Sequence, residues 1–176
     1  CEPYLTSDHR LMIEAPGSIV AGLRLAMRAC GAEKGIVAIE DNKPDAINSM
    51  LAVIREAPGV QLAICRTKYP QGGERQLINA VLDRVVPTGG LPLEVGVVVA
   101  NVGTLAAVAW AVAEGRPVTE RIVTVTGAGI KEPGNFRVPV GMLLSDLLAA
   151  AGGLTDDAAQ VLLGGPMMGP ATARLD

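Results

Sequence analysis

Residues 68–77 read Lys-Tyr-Pro-Gln-Gly-Gly-Glu-Arg-Gln-Leu, and they hold the densest set of groups that could do chemistry. The apolar run at 60–65 leads into them. A segment with Leu77, Ile78, Val81 and Leu82 on one helical face leads out. In a strand, glycine turn and helix taken in that order, backbone N–H groups at the helix start can face an anionic ligand. Gly72 and Gly73 carry no Cβ, so the chain there can take a positive φ or lie close against a ring or a phosphate. Tyr69 is one of only 2 tyrosines, beside 1 Trp and 1 Phe, and it stands in this polar turn. Short glycine patterns are weak evidence taken singly, and a surface loop with a helix cap is the ordinary alternative. A second stretch of the same kind is Asn101-Val-Gly-Thr104, which follows the apolar run Gly-Val-Val-Val-Ala at 96–100.

Other chemistries find little support. The 3 cysteines, Cys1, Cys30 and Cys65, are far apart and form no Cys-x-x-Cys pair, so they offer no iron–sulphur or zinc motif. Cys30 and Cys65 read as small buried hydrophobes. His9 is the one histidine, expected in a charged, solvated loop, and it supports neither a triad nor a multi-histidine metal site. With a net charge of −3, interspersed signs and few aromatics, the chain lacks the basic stripe and stacking platforms of a nucleic-acid surface. No apolar run reaches the roughly 18–20 residues that span a bilayer, since Asn101, Gly103 and Thr104 interrupt the longest. The chain opens on Cys-Glu-Pro-Tyr with neither Met nor signal peptide, which reads as a piece of a longer protein.

The elements that must position these residues follow from punctuation and periodicity. Residues 1–8 read as loop. Ser18 is the expected N-cap of a helix with Ile19, Leu23, Met27 and Cys30 inward, stopped by Gly31. Residues 35–40 read as a short, nearly all-apolar strand, and Pro44 fits the first turn of a helix with Ile47, Leu51 and Ile54 inward. The runs at 60–65 and 96–100 are the next two expected strands, and residues 104–114 the next helix, ended by Gly115. Helices alternating with buried strands argue for an α/β fold with a parallel or mixed sheet, whose ligands gather beyond the carboxyl ends of the strands. After Pro117 the pattern changes. A half-exposed strand at 121–126, a second at 136–140, a helix at 143–151 and a strand at 161–163 suit a small β-grasp module. Met167 and Met168 read as core filling ahead of an exposed contact. The division is 1–117 for the α/β domain and 118–176 for the β-grasp domain.

Several of these pieces, in order, resemble the C subunit of the Rnf ion-translocating electron-transport complex. They are similar, more distantly, to the FMN- and NADH-binding flavoprotein subunit of respiratory complex I. The pieces are Cys1-Glu2-Pro3, residues 35–40 (Gly-Ile-Val-Ala-Ile-Glu) with Pro44, residues 68–75, Asn101-Val-Gly-Thr104, and Thr126-Gly127 with Pro133-Gly134. The resemblance covers essentially the whole chain. It implies a Rossmann-like FMN-binding domain, truncated at its N-terminus, followed by a β-grasp domain of the soluble-ligand-binding (SLBB) type. It also implies NADH as donor, and flavin passing electrons to [4Fe-4S] clusters whose ligands lie outside this chain. The partners would be the other subunits of a membrane complex, with this one peripheral on the cytoplasmic face.

Carried over by position, the resemblance implies cofactor contacts for Cys1, Glu2, Tyr69, Gly72, Gly73, Glu74, Asn101 and Thr104, with Glu74 in the catalytic role. Glu2 matches the acidic residue of a Glu-x-Glu-Pro loop. Tyr69, Gly72 and Glu74 match Tyr-x-x-Gly-Glu-Glu, with Gly73 in place of the first glutamate. Asn101 and Thr104 match Asn-Asn-Val-Glu-Thr, from which Ala100 and Gly103 depart. A cobalamin reductase that hands electrons to a corrinoid shares the architecture, and a catalytically silent docking module is a rival of another class.

Overall fold

The computed structural model describes residues 2–175, and the chain divides into two units. One is Asp8–Arg116; the other joins Glu2–Ser7 to the residues from Pro117 onward.

Helix α1 (Ser7–Glu14), in the first unit from Asp8 on, is followed by α2 (Pro16–Cys30). Pro16 sits at the head of α2, where its missing N–H costs nothing. Gly31 ends the helix at φ 72°, its N–H donating back to the Met27 carbonyl. Strand β1 (Gly35–Glu40), helix α3 (Pro44–Ile54) and strand β2 (Val60–Cys65) come next, and the strands pair in parallel from Gly35↔Val60 to Glu40↔Cys65. Helix α4 (Glu74–Leu82), a 3₁₀ turn (Pro92–Val95) and helix α5 (Val102–Glu114) complete the unit. The core joins Ile19 and Val20 of α2, Val37 and Ile39 of β1, Ala46, Met50 and Ile54 of α3, and Ala106 of α5.

The second unit holds an antiparallel hairpin, β3 (Glu120–Val125) with β4 (Gly134–Pro139), in which Val123 faces Phe136. Helix α6 (Leu144–Ala150) covers it, and Val125, Ile130, Leu147, Leu148 and Ala151 form a second core. A short pair, β5 (Val161–Leu162) with β6 (Ala171–Thr172), follows. Strand β6 has no counterpart among the expected elements.

Several expectations need correction. Residues 97–100 are not a strand. Gly96 ends the 3₁₀ turn in the left-handed region at φ 69°, the segment pairs with no strand among the described residues, and Val98 is 71% exposed. Apolar composition alone does not make a strand without an edge to pair with. Helix α1 begins at Ser7, so His9 is helical, and its Nε2 lies 2.8 Å from Asp45 Oδ1. The stripe on α3 is Ala46, Met50 and Ile54, with Ile47 beside it and Leu51 turned outside the core. Ser18 is not the cap of α2, which starts two residues earlier at Pro16; its hydroxyl accepts from Trp110 Nε1 at 3.2 Å. Cys65 is buried as expected, but Cys30, on the last turn of α2, is exposed. Met167 and Met168 are exposed too, Met168 at 76%.

Candidate functional site

The turn between β2 and α4 is closed by its own backbone. Lys68 accepts from the Gln71 N–H at 2.8 Å across a cis Tyr69–Pro70 peptide, and Pro70 accepts from the Gly73 N–H at 2.7 Å. Gly73 is the N-cap of α4 in extended conformation, and no side chain caps the N–H groups of the first turn from that position. A Cβ on Gly73 would stand 2.6 Å from Gln76 Oε1 and 3.0 Å from the Pro70 carbonyl, so the turn tolerates only glycine there without shifting. Glu74 is the first residue of α4 and is exposed, where a carboxylate is favoured by the helix dipole whatever else it does. Tyr69 is exposed. Gln71, to which the motifs give no role, is 3% exposed, and its Nε2 has no hydrogen-bond partner among the described residues.

Arg75 is a second residue to which the motifs give no role. Its guanidinium donates to the carbonyls of Pro87 (3.2 Å) and Gly90 (2.8 Å), and so fixes the Pro/Gly-rich loop after α4. Two-point donation of this kind is what a planar guanidinium does well, although the sequence offers no sign of where it reaches.

Asn101 is the N-cap of α5. Its Oδ1 accepts from the Gly103 N–H at 2.7 Å, and its Nδ2 donates to Asp8 Oδ2 at 2.7 Å. One amide proton and one carbonyl lone pair remain on an exposed side chain. Thr104, in the same first turn of α5, is exposed.

Strand ends β1 and β2 are tied by Asp41 and Thr67. The Thr67 hydroxyl and N–H donate to Asp41 Oδ1 at 2.6 and 3.0 Å, which holds the Asp41 carboxyl below its ordinary range. Burial pushes the Cys65 thiol up, and the Glu40 carboxylate beside it adds to the shift.

The turns 69–74 and 101–104 belong to one unit and each leads into a helix, but only 69–74 follows a strand, so the two are not equivalent strand ends as expected. Glu2 belongs to the other unit, where its carboxylate accepts from the Met167 N–H at 2.6 Å. Cys1 lies outside the described residues. Among the described residues no group of acidic, His or Cys side chains could hold a metal ion, and no helix is long and apolar enough to cross a membrane. A groove of about 380 Å³ between α2 and α5, lined by Ser18, Ala21, Leu25, Trp110 and Ala113 among others, contains none of the expected site residues.

Residues 1–110 match the family model described as the Nuo51 FMN-binding domain, and residues 122–171 match the SLBB domain. The chain is 46% identical over 176 residues to the C subunit of the proton-translocating ferredoxin:NAD(+) oxidoreductase complex of Clostridium ljungdahlii, covering 100% of this chain and 38% of that protein. It is 44% identical over 169 residues to the C subunit of the Na(+)-translocating ferredoxin:NAD(+) oxidoreductase complex of Acetobacterium woodii, covering 96% and 38%. The C subunit of the ion-translocating oxidoreductase complex of Klebsiella pneumoniae is 41% identical, with 100% and 23% covered. This chain thus spans less than two fifths of the length of these relatives. Among solved structures, an NAD+-reducing [NiFe]-hydrogenase in the air-oxidized state superposes with a TM-score of 0.77 at 28% identity, covering 93% of this chain and 33% of that one.

Proposed function

From the premise that the chain belongs to the Nuo51 FMN-binding domain family and carries an SLBB domain behind it, we propose that its first unit is part of the flavin-holding site of an NADH-oxidising subunit. Electrons would leave that site through iron–sulphur clusters outside this chain, within a membrane-associated Rnf-type complex. The whole protein would be peripheral and on the cytoplasmic face. The observation that carries the reading is the pair of helix-heading turns in one unit, 69–74 before α4 and 101–104 before α5, both with exposed polar groups.

The residues present fit FMN on two counts. Gln71 keeps a buried amide donor for which the described residues supply no acceptor, a costly arrangement (about 1–3 kcal/mol) in a turn that serves no ligand. Gly72, beside it in the same turn, is exposed bare backbone, with no Cβ to hold a planar ring off.

When bound, FMN supplies the hydride acceptance and the one-electron release that no side chain here offers. The chain's task is to place and to polarise. Gly72 and Gly73 would let the backbone lie close to the ring, with Tyr69 beside it. Glu74 would hydrogen-bond at the flavin or the arriving nicotinamide. The remaining Asn101 donor and acceptor, with the Thr104 hydroxyl, would hold the flavin or its ribityl chain through neutral bonds. Because Glu74 acts by orientation, the Glu74→Gln variant of the full-length protein should fold normally and lose about 100-fold in NADH oxidation. Unchanged turnover would remove Glu74 from the site.

A further inference from the structure

We propose that Asp8, on the first turn of α1, is a positioning residue for the 101–104 turn: it orients the Asn101 amide for its ligand. The inference rests on the flavin reading of that turn. Asp8 Oδ2 accepts from Asn101 Nδ2 at 2.7 Å, and an ionised carboxylate can only accept. It therefore takes the nitrogen of the amide and not the oxygen. With the nitrogen held, Oδ1 is presented to the Gly103 N–H at 2.7 Å, and the cap of α5 closes. Gly103 takes part as well, since a Cβ there would stand 3.1 Å from Asn101 Oδ1 and 4.0 Å from Asp8 Oδ1.

Two elements distant in sequence thus fix one amide from both ends. α1 is held in place independently, because Leu11, one turn on from Asp8, packs against the same core as Val102 of α5. The side-chain bond is exposed, so its worth lies in orientation more than in holding the fold together. One proton of Nδ2 and one lone pair of Oδ1 are then left pointing in defined directions, ready for a neutral polyol or ring edge.

A different explanation for Asp8 is that an acid in a first turn favours its own helix through the macrodipole. The two roles separate on substitution. Asp8→Asn discards the charge and keeps an acceptor oxygen for Asn101 Nδ2, whereas Asp8→Ala discards both.

The test is FMN affinity of the full-length protein, by flavin fluorescence quenching, for wild type, Asp8→Ala, Asp8→Asn, Asn101→Ala and the Asp8→Ala/Asn101→Ala pair, each checked for native melting. Expected are about tenfold weaker binding for Asp8→Ala and for Asn101→Ala, near-wild-type binding for Asp8→Asn, and no further loss in the pair. If Asn101→Ala weakens binding and Asp8→Ala does not, the inference falls and the flavin reading of the turn stands. Losses that multiply in the pair, or Asp8→Asn as poor as Asp8→Ala, also overturn it. If Asn101→Ala binds as wild type does, the flavin reading of this turn fails, and the inference with it.

Discussion

Gly22 of α2 lies so close to Leu105 of α5 that a Cβ added to it would overlap the Leu105 carbonyl oxygen. The two helices meet backbone to backbone, and this close approach sets α5, whose N-terminus bears Asn101 and Thr104. In an exposed mid-helix position, Gly→Ala stabilises by up to about 1 kcal/mol. Here the sign reverses, because the neighbour is main chain and cannot step aside. Gly22→Ala should destabilise the chain by about 1–3 kcal/mol, read as a lower urea midpoint. An unchanged or higher midpoint would mean that the helices do not meet at this point.

Acid should loosen the strand tips through Asp41. Its carboxyl is held low chiefly by the hydrogen bond from the Thr67 hydroxyl and then by the Thr67 N–H. A carboxyl whose folded pKa lies below its unfolded one adds stability that is fully present above the unfolded value, about 3.9, and is lost as pH falls through the folded value. Thr67→Val removes the hydroxyl and keeps the shape. The variant should be less stable than wild type at pH 6, and the gap should narrow as pH drops below about 4. Denaturant melts at the two pH values check this, and a gap that widens in acid would refute it.

In the second unit Glu2 and Gly165 form a matched pair. A Cβ on Gly165 would stand 2.6 Å from Glu2 Oε1, at a residue whose φ is 103°. Gly165→Ala should therefore strain the loop and push Glu2 off the Met167 N–H, at a cost of about 1–3 kcal/mol. Hydrogen exchange at the Met167 amide should quicken in the variant. Exchange as slow as wild type would show that Glu2 does not guard it.

Segments with both periodicity and punctuation are legible in the sequence. Gly31 and Gly115 end helices in the left-handed region as their positions predict, and Pro44 heads α3. The sequence misleads where tertiary partners decide. The valines at 97–99 look like a strand, but strand identity depends on an edge to pair with, which composition does not report. The α3 stripe is shifted because small Ala46 is fully buried in the core, which a count of large apolar residues does not register. At the candidate site the glycine turn is visible from residue type, whereas Asn101 reads as the end of a strand and is instead the N-cap of α5, which starts at Val102 and not at Thr104. Gln71 and Arg75 are not visible, since burial and a reach to the carbonyls of Pro87 and Gly90 depend on how the loops fold back. Asp8 is hidden for the same reason, being 93 residues from the side chain it holds.

The central claim is that turns 69–74 and 101–104 form parts of one flavin wall. An experimental structure of the full-length protein with FMN bound tests it most directly. Flavin or ribityl atoms are expected within hydrogen-bonding distance of both Asn101 and the Gly72–Gly73 backbone, with Glu74 at the nicotinamide side. A flavin bound without contact to either turn, or with the two turns on opposite sides of the domain from one another, would contradict it.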